Sequence, residues 1–157
     1  MGQRLAKPCK PLDINQKELA LRLLHEHTSK KGRVFMKDNE EIIRDFITAW
    51  SRLDAEELAS YFTDDGIYHN MPTDPVAGRA AVQAFIAGFA KDWTETNWDI
   101  IKLIAKDDIV MVERLDRTKL GDKSVDLPCF GIFEMENGKI KIWRDYFDIG
   151  TYMNALA

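Results

Sequence analysis

Two hydrophobic periods divide this chain. From Asn39 onward, Ile42, Ile43, Phe46, Ala49, Trp50 and Leu53 recur every three or four positions, the spacing that gives a helix one apolar face. Asp54 and Glu57 form the signature of a capping box, opening a short helix through Leu58, Tyr61 and Phe62. Asp65-Gly66 predicts a turn into a strand, IYHNM, and Pro72 and Pro75 then interrupt. After Gly78, RAAVQAFIAGFAKDW predicts a helix with Val82, Phe85, Ile86 and Phe89 inward. Beyond it the period changes to two. NWDIIKLIA, a turn at Lys106-Asp107-Asp108, and IVMVERLDRTKL read as one hairpin. Gly121-Asp122 turns into SVDLPCFGIFEME, and Asn137-Gly138, a type I′ signal, joins that strand to KIKIWRDYFD. GTYMNALA closes the chain as a short helix. Helices first and meandering strands second predict an α+β fold, a curved sheet with helices on one side. Residues 1–12 read as a loose tail. Residues 13–32 read as a helix capped by Asp13 and Gln16 and stopped by Gly32. Residues 1–38 are thus expected to be an N-terminal extension to a domain at 39–157.

The strands carry an oddity. Trp143, Asp145 and Phe147 share a face, so a carboxylate stands between two large rings. An ionised carboxyl against an apolar wall is costly unless it is paired. An unbroken ladder outward from Asn137-Gly138 sets Glu136 against Lys139, Ile132 against Trp143 and Phe130 against Asp145. Phe130, Ile132, Trp143 and Phe147 are then the expected wall around Asp145. In IVMVERLDRT, period two places Val110, Val112, Arg114 and Asp116 on one face, and in IYHNM it places Tyr68 with Asn70. If these faces converge, five polar groups meet in an apolar pocket, the usual form of a small-molecule site. The plainer alternative is a solvated face carrying Arg114 and Asp116, with Asp145 at a strand end and Tyr68 in the core. His69 alternates away from the site. Arg144, Tyr146 and Cys129 are expected on the opposite face, with Cys129 a small buried hydrophobe.

Composition narrows the choice. With 45% hydrophobic and 31% charged residues the chain is ordinary for a globular protein, and 157 residues suffice to bury a core. A net charge of −4 leaves no basic footprint for nucleic acid. No apolar run approaches the ~20 residues of a membrane span. MGQRLAKPCKP is basic but leads into no apolar signal core, and Ala6 stands where myristoylation wants a hydroxyl. Two cysteines, Cys9 and Cys129, make neither a disulfide framework nor a zinc site, and His25 and His27 lack ligand spacing. The expectation is a cytoplasmic protein with no metal.

IYHNMP, ERLDRT and FGIFEMENGKIKIWRDYFD, in this order, resemble the limonene-1,2-epoxide hydrolase family from about Asn39 to Tyr152. The resemblance implies the cone of about six strands shared by nuclear transport factor 2 and ketosteroid isomerase, wrapped with helices around a deep apolar pocket. It also implies a homodimer that uses no organic cofactor. The family's catalytic positions fall on Tyr68, Asn70, Arg114, Asp116 and Asp145. By that resemblance Asp145 is the base for a water held by Tyr68 and Asn70, Asp116 is the acid, and Arg114 lies between. Trp143, Phe147, Phe130, Ile132 and Val112 would contact a lipophilic epoxide (terpenoid, fatty or steroidal) in a wide cavity. Two other functions fit the same fold: a ketosteroid-isomerase-like proton-transfer enzyme and a non-catalytic binding module. Arg114 argues against the first, and two Asp buried with an Arg argue against the second.

Overall fold

The computed structural model describes residues 38–157, and Lys37–Ala157 form one compact unit. The helix expected over 13–32, with Cys9, His25 and His27, lies outside the described residues. Helix α1 (Asn39–Ala49) starts where the Asp38 carboxylate accepts a hydrogen bond from the Glu41 backbone N–H. Glu40 and Glu41 in its first turn face the positive end of the helix dipole. Its apolar stripe buries Ile43, Phe46, Ile47 and Ala49. A single 3₁₀ turn (Trp50–Arg52) follows and ends at Leu53 in the left-handed region. Helix α2 (Ala55–Ser60) is capped by Asp54, which accepts from the N–H groups of Glu56 and Glu57. The returning half of the expected capping box is replaced: the Glu57 carboxylate takes two bonds from Arg52 instead.

Six strands follow: β1 (Phe62–Asn70), β2 (Val76–Ala77), β3 (Glu95–Lys106), β4 (Ile109–Leu120), β5 (Lys123–Glu136) and β6 (Lys139–Phe147). Helix α3 (Arg79–Phe89) lies between β2 and β3, and α4 (Ile149–Leu156) ends the chain. The sheet order is β2-β1-β6-β5-β4-β3. Only the β1–β6 contact is parallel, so the sheet is mixed. The hairpin turns use positive φ where expected, at Asp107, Gly121 and the Asn137-Gly138 pair. Helix α4 is capped by Asp148, whose carboxylate accepts from the N–H groups of Gly150 and Thr151.

The sheet departs from expectation in two places, and an extra residue, Ile101, also breaks the β3–β4 ladder. Asp65-Gly66 does not turn the chain; it lies inside β1, where the register against β6 shifts between Phe62 and Ile67. Gly66 belongs there because a Cβ would meet the Phe62 Cβ at 3.0 Å and the Ile140 carbonyl at 3.1 Å. The second departure is a bulge near the β5–β6 turn. Met135 pairs with Ile140 but Glu134 pairs with Ile142, leaving Lys141 as an extra residue. Every pair beyond slips by one. Phe133, not Ile132, faces Trp143, and Gly131, not Phe130, faces Asp145. Period two then turns Phe130 and Ile132 to the outer face of the sheet, where Phe130 is 40% exposed. The same slip moves Cys129 onto the Asp145 face, opposite Phe147.

The core is aromatic. Phe133 stacks on Trp143 with centroids 5.3 Å apart, and Phe46 from α1 meets the Trp143 ring edge-on at 5.2 Å. Trp50 stacks on Trp98 at 4.3 Å. Phe46, Trp50, Phe62, Phe133 and Trp143 are fully buried, each contributing about 1.5–3 kcal/mol by burial alone. Val110 and Val112 extend this core to β4, whose next inward residues are charged.

Candidate active site

On β4 the alternation runs Val110, Val112, Arg114, Asp116, Thr118, and all five are buried. On β6 it brings Trp143 and then Asp145. On β1, Tyr68 pairs with Trp143 and Asn70 with Asp145 in the parallel ladder. Strand pairing thus places Tyr68, Asn70, Arg114, Asp116 and Asp145 together from three strands. The Tyr68 ring lies flat on Trp143, centroids 4.1 Å apart, which fixes where its hydroxyl points.

Arg114 is the centre. Its Nε donates to Asp116 Oδ1 at 2.8 Å and its Nη2 to Asp116 Oδ2 at 3.1 Å. Nη1 donates to Asp145 Oδ1 at 2.9 Å, and Nη2 also donates to Asp145 Oδ2. One guanidinium therefore makes two-pronged contacts with two carboxyls. The Trp143 indole N–H adds a third donor to Asp145, at 3.2 Å. The guanidinium lies 4.6 Å from the Trp98 ring centroid and 5.6 Å from that of Trp143, within cation–π range of both rings. Arg114 is inaccessible to solvent, and Asp116 and Asp145 are nearly so.

Burial sets the charge states. It pushes the Asp116 carboxyl up to about 6, with Asp145 adding to the rise and Arg114 resisting it. Burial works against the charge on Arg114, but Asp116 and Asp145 outweigh it and hold the guanidinium charged, well above its ordinary range. Burial, and after it the nearby Asp145, lifts the Tyr68 hydroxyl far above its usual value, so it remains a phenol and a donor. Burial, then Asp116, likewise keeps the Cys129 thiol protonated.

Beside these groups is a narrow, partly open cavity of about 20 Å³, lined by Tyr68, Asn70, Asp116, Cys129 and Asp145 among others. That is room for about one water. Asn70 Oδ1 is buried without a hydrogen-bond partner. The apolar walls are Phe89, Trp93, Trp98, Leu127, Phe147 and Tyr152. Trp93 donates its indole N–H to the Tyr152 hydroxyl at 3.2 Å.

The expected wall needs revision. Phe147 lines the cavity. Trp143 stands behind Asp145, and Val112 lies in the core. Phe130 and Ile132 are on the far side of the sheet because of the Lys141 bulge. Cys129, expected on that far side, lines the cavity. The space itself is narrow, not wide. His69 does not line it; its Nε2 meets the Thr73 carbonyl at 2.9 Å. Sequence reasoning missed Trp98, Gly131, Trp93 and Tyr152. Trp98 carried no signal: an unbroken β3–β4 ladder would set it opposite Arg117, and only the register shift at Ile101 brings it opposite Asp116.

Asp116, Cys129 and Asp145 place ligand-type atoms within 4.8 Å of one another. This set suits a resident divalent ion poorly. Arg114 already uses both oxygens of each carboxyl, the thiol is protonated, and a second positive charge would stand against the first.

The chain is similar in sequence and fold to known proteins. Residues 37–157 match the family described as the limonene-1,2-epoxide hydrolase catalytic domain. The curated epoxide hydrolase EphG of Mycobacterium tuberculosis is 25% identical over 111 residues, covering 71% of this chain and 74% of that one. Among solved structures, an M. tuberculosis LEH-like epoxide hydrolase superposes with a TM-score of 0.66 at 24% identity, over 75% of this chain and 88% of the other. An NTF2-like protein from Burkholderia pseudomallei superposes with a TM-score of 0.69 at 19% identity, over 78% and 99%. At these identities the two structures establish the NTF2-like fold. With its family-matching domain spanning residues 37–157, the chain belongs to the limonene-1,2-epoxide hydrolase family and is an epoxide hydrolase.

Proposed function

We propose that this enzyme opens a lipophilic epoxide to a vicinal diol in one step, with Asp145 as base and Asp116 as acid. The observation that carries the reading is a small cavity lined by Tyr68, Asn70, Asp116 and Asp145 together, with Asn70 Oδ1 unpartnered and the Asp116 carboxyl raised by burial to about 6. A water there has all four of its valences assigned. One proton goes to Asp145 and the other to Asn70 Oδ1. One lone pair accepts from the Tyr68 hydroxyl, and the remaining lone pair points at the substrate. Holding a nucleophile in a single orientation lowers the barrier directly. As the oxygen attacks carbon, Asp145 takes its proton and the C–O bond of the ring breaks. Asp116 delivers its own proton to the departing oxygen, so no free alkoxide forms. The products are the diol, a protonated Asp145 and an ionised Asp116. The next cycle begins once that proton has returned to Asp116. Arg114 faces both carboxyls throughout, and the pair carries one negative charge before and after the reaction.

The aromatic walls favour an apolar substrate body, and no organic cofactor enters the scheme. A pure binding module is disfavoured by the same site. Two carboxyls and a guanidinium withdrawn from water cost several kcal/mol per ion, a cost that binding an apolar ligand does not require.

The outer face of the sheet supports a second copy of the chain as partner. Ile104, Met111 and Ile132 form a row across β3, β4 and β5, and Phe130 pairs with Tyr146 beside it. Ile104 is 69% exposed, and Met111, Phe130 and Tyr146 about 40%. A contiguous apolar patch of this kind marks an interface.

Asp145→Asn and Asp116→Asn should each lower kcat by about 1000-fold with an unchanged circular dichroism spectrum. Wild-type-like turnover in either variant would end the assignment. Because Asp116 must carry its proton, kcat/KM should fall about tenfold per pH unit above about 6 and level off just below it. A profile that stays flat from about 5 to 9 would remove Asp116 as the acid. Sedimentation equilibrium should give the mass of a dimer, with Phe130→Lys shifting it toward monomer; a monomeric unaltered chain at micromolar concentration would refute the interface.

A further inference from the structure

Arg114 belongs to β4 and Asp145 to β6, and β5 runs between them. Their hydrogen bonds must therefore cross a strand. The crossing lies over Gly131, which pairs with Val112 on one side and with Asp145 on the other. A Cβ at that position would lie 2.7 Å from Arg114 Nη1 and 3.1 Å from Asp145 Oδ1. These two atoms form the 2.9 Å hydrogen bond that holds the pair together. A methyl group there would enter the bond itself. It would also meet Phe133 Cε2 at 3.0 Å.

Such a contact is tolerable when it touches the loose end of a long side chain, but the end of Arg114 is not loose. Trp98 and Trp143 pack against it, and two bonds tie it to Asp116. Asp145 is pinned in turn by the Trp143 indole. Nor does Gly131 serve a conformational need. The glycines of this domain in the left-handed region are Gly78, Gly121 and Gly138. Gly131 has ordinary strand backbone, so what its position requires is empty space. The Lys141 bulge sets this glycine, and not Phe130, opposite Asp145.

We propose that Gly131 is a positioning residue for the hydrolysis, acting through Arg114: its missing side chain is the gap through which the guanidinium reaches Asp145. The proposal rests on the hydrolase reading for its effect on rate and on geometry alone for its effect on stability.

The test is a double-mutant cycle of Gly131→Ala with Arg114→Lys, reading kcat, KM and Tm. Lysine has no Nη1 for the methyl to strike. In the wild-type background Gly131→Ala should lower kcat by about 100-fold, the cost of misplacing a reacting group by an ångström. KM should stay within about 3-fold, because ground-state binding is untouched. In the Arg114→Lys background the same substitution should change kcat by no more than about 2-fold, and its effect on Tm should shrink likewise. Gly88→Ala, where a Cβ meets nothing within 4 Å, is the control and should leave kcat unaltered. Equal factors in both backgrounds, or wild-type kcat in Gly131→Ala, would overturn the proposal. If Gly131→Ala does not fold, a folded double variant supports the clash with Arg114 and an unfolded one refutes it. A wild-type protein that turns over no epoxide would instead defeat the hydrolase reading, and the Tm cycle would still decide the role of Gly131.

Discussion

A single guanidinium held between two buried carboxyls is the constraint around which this domain is organised. Taking Arg114, Asp116 and Asp145 out of water is expensive, and the four hydrogen bonds among them do not fully offset that cost. The remainder comes from packing. Trp98 and Trp143 lie against the cation, the Trp143 indole donates to Asp145, and the aromatic core beneath holds both rings. Trp143 serves both needs at once. Its ring carries Phe133 and Tyr68 on its faces, and its N–H donates to Asp145, the proposed base.

In the proposed mechanism, charge and geometry distinguish two identical residue types. Asp116 and Asp145 contact the same cation, but burial raises Asp116 to about 6, a value suited to an acid near neutral pH. Asp145 faces the polar corner formed by Tyr68 and Asn70. A shared cation with a raised carboxyl on one side and a water berth on the other is the physical content of the acid and base assignment.

Much of this was legible in the sequence, because period-two alternation is strict on β4 and, beyond the Lys141 bulge, on β6. Val112 running into Arg114 and Asp116, and Trp143 into Asp145, disclosed apolar faces carrying charge. Helical spacing and the turns at Asp107, Gly121 and Asn137-Gly138 placed the elements. What failed were single-residue insertions. No local signal marks Lys141 as a bulge, yet it reversed the sides of Phe130, Ile132 and Cys129 and so misassigned half of the expected substrate wall. The Asp65-Gly66 pair looks like a turn but is absorbed into β1, because Gly66 is needed for close approach to Phe62 and Ile140. The rest of the wall, Trp93 and Tyr152 among it, comes from the loop before β3 and from α4, whose distance to the site no alternation along a strand discloses. Gly131 was the available hint, since a glycine in mid-strand asks what approaches it.

In the proposed mechanism water, not a carboxylate, attacks the epoxide, because Asp145 is tied to Arg114 and Trp143 while it lines a cavity with room for a water. The direct measurement is a single turnover in ¹⁸O-labelled water with enzyme in excess, followed by mass spectrometry of the diol and of peptides carrying Asp116 and Asp145. The label should appear in the diol and in neither aspartate. Label in an aspartate would mean that the carboxylate attacked first through an ester, and the one-step mechanism would be wrong.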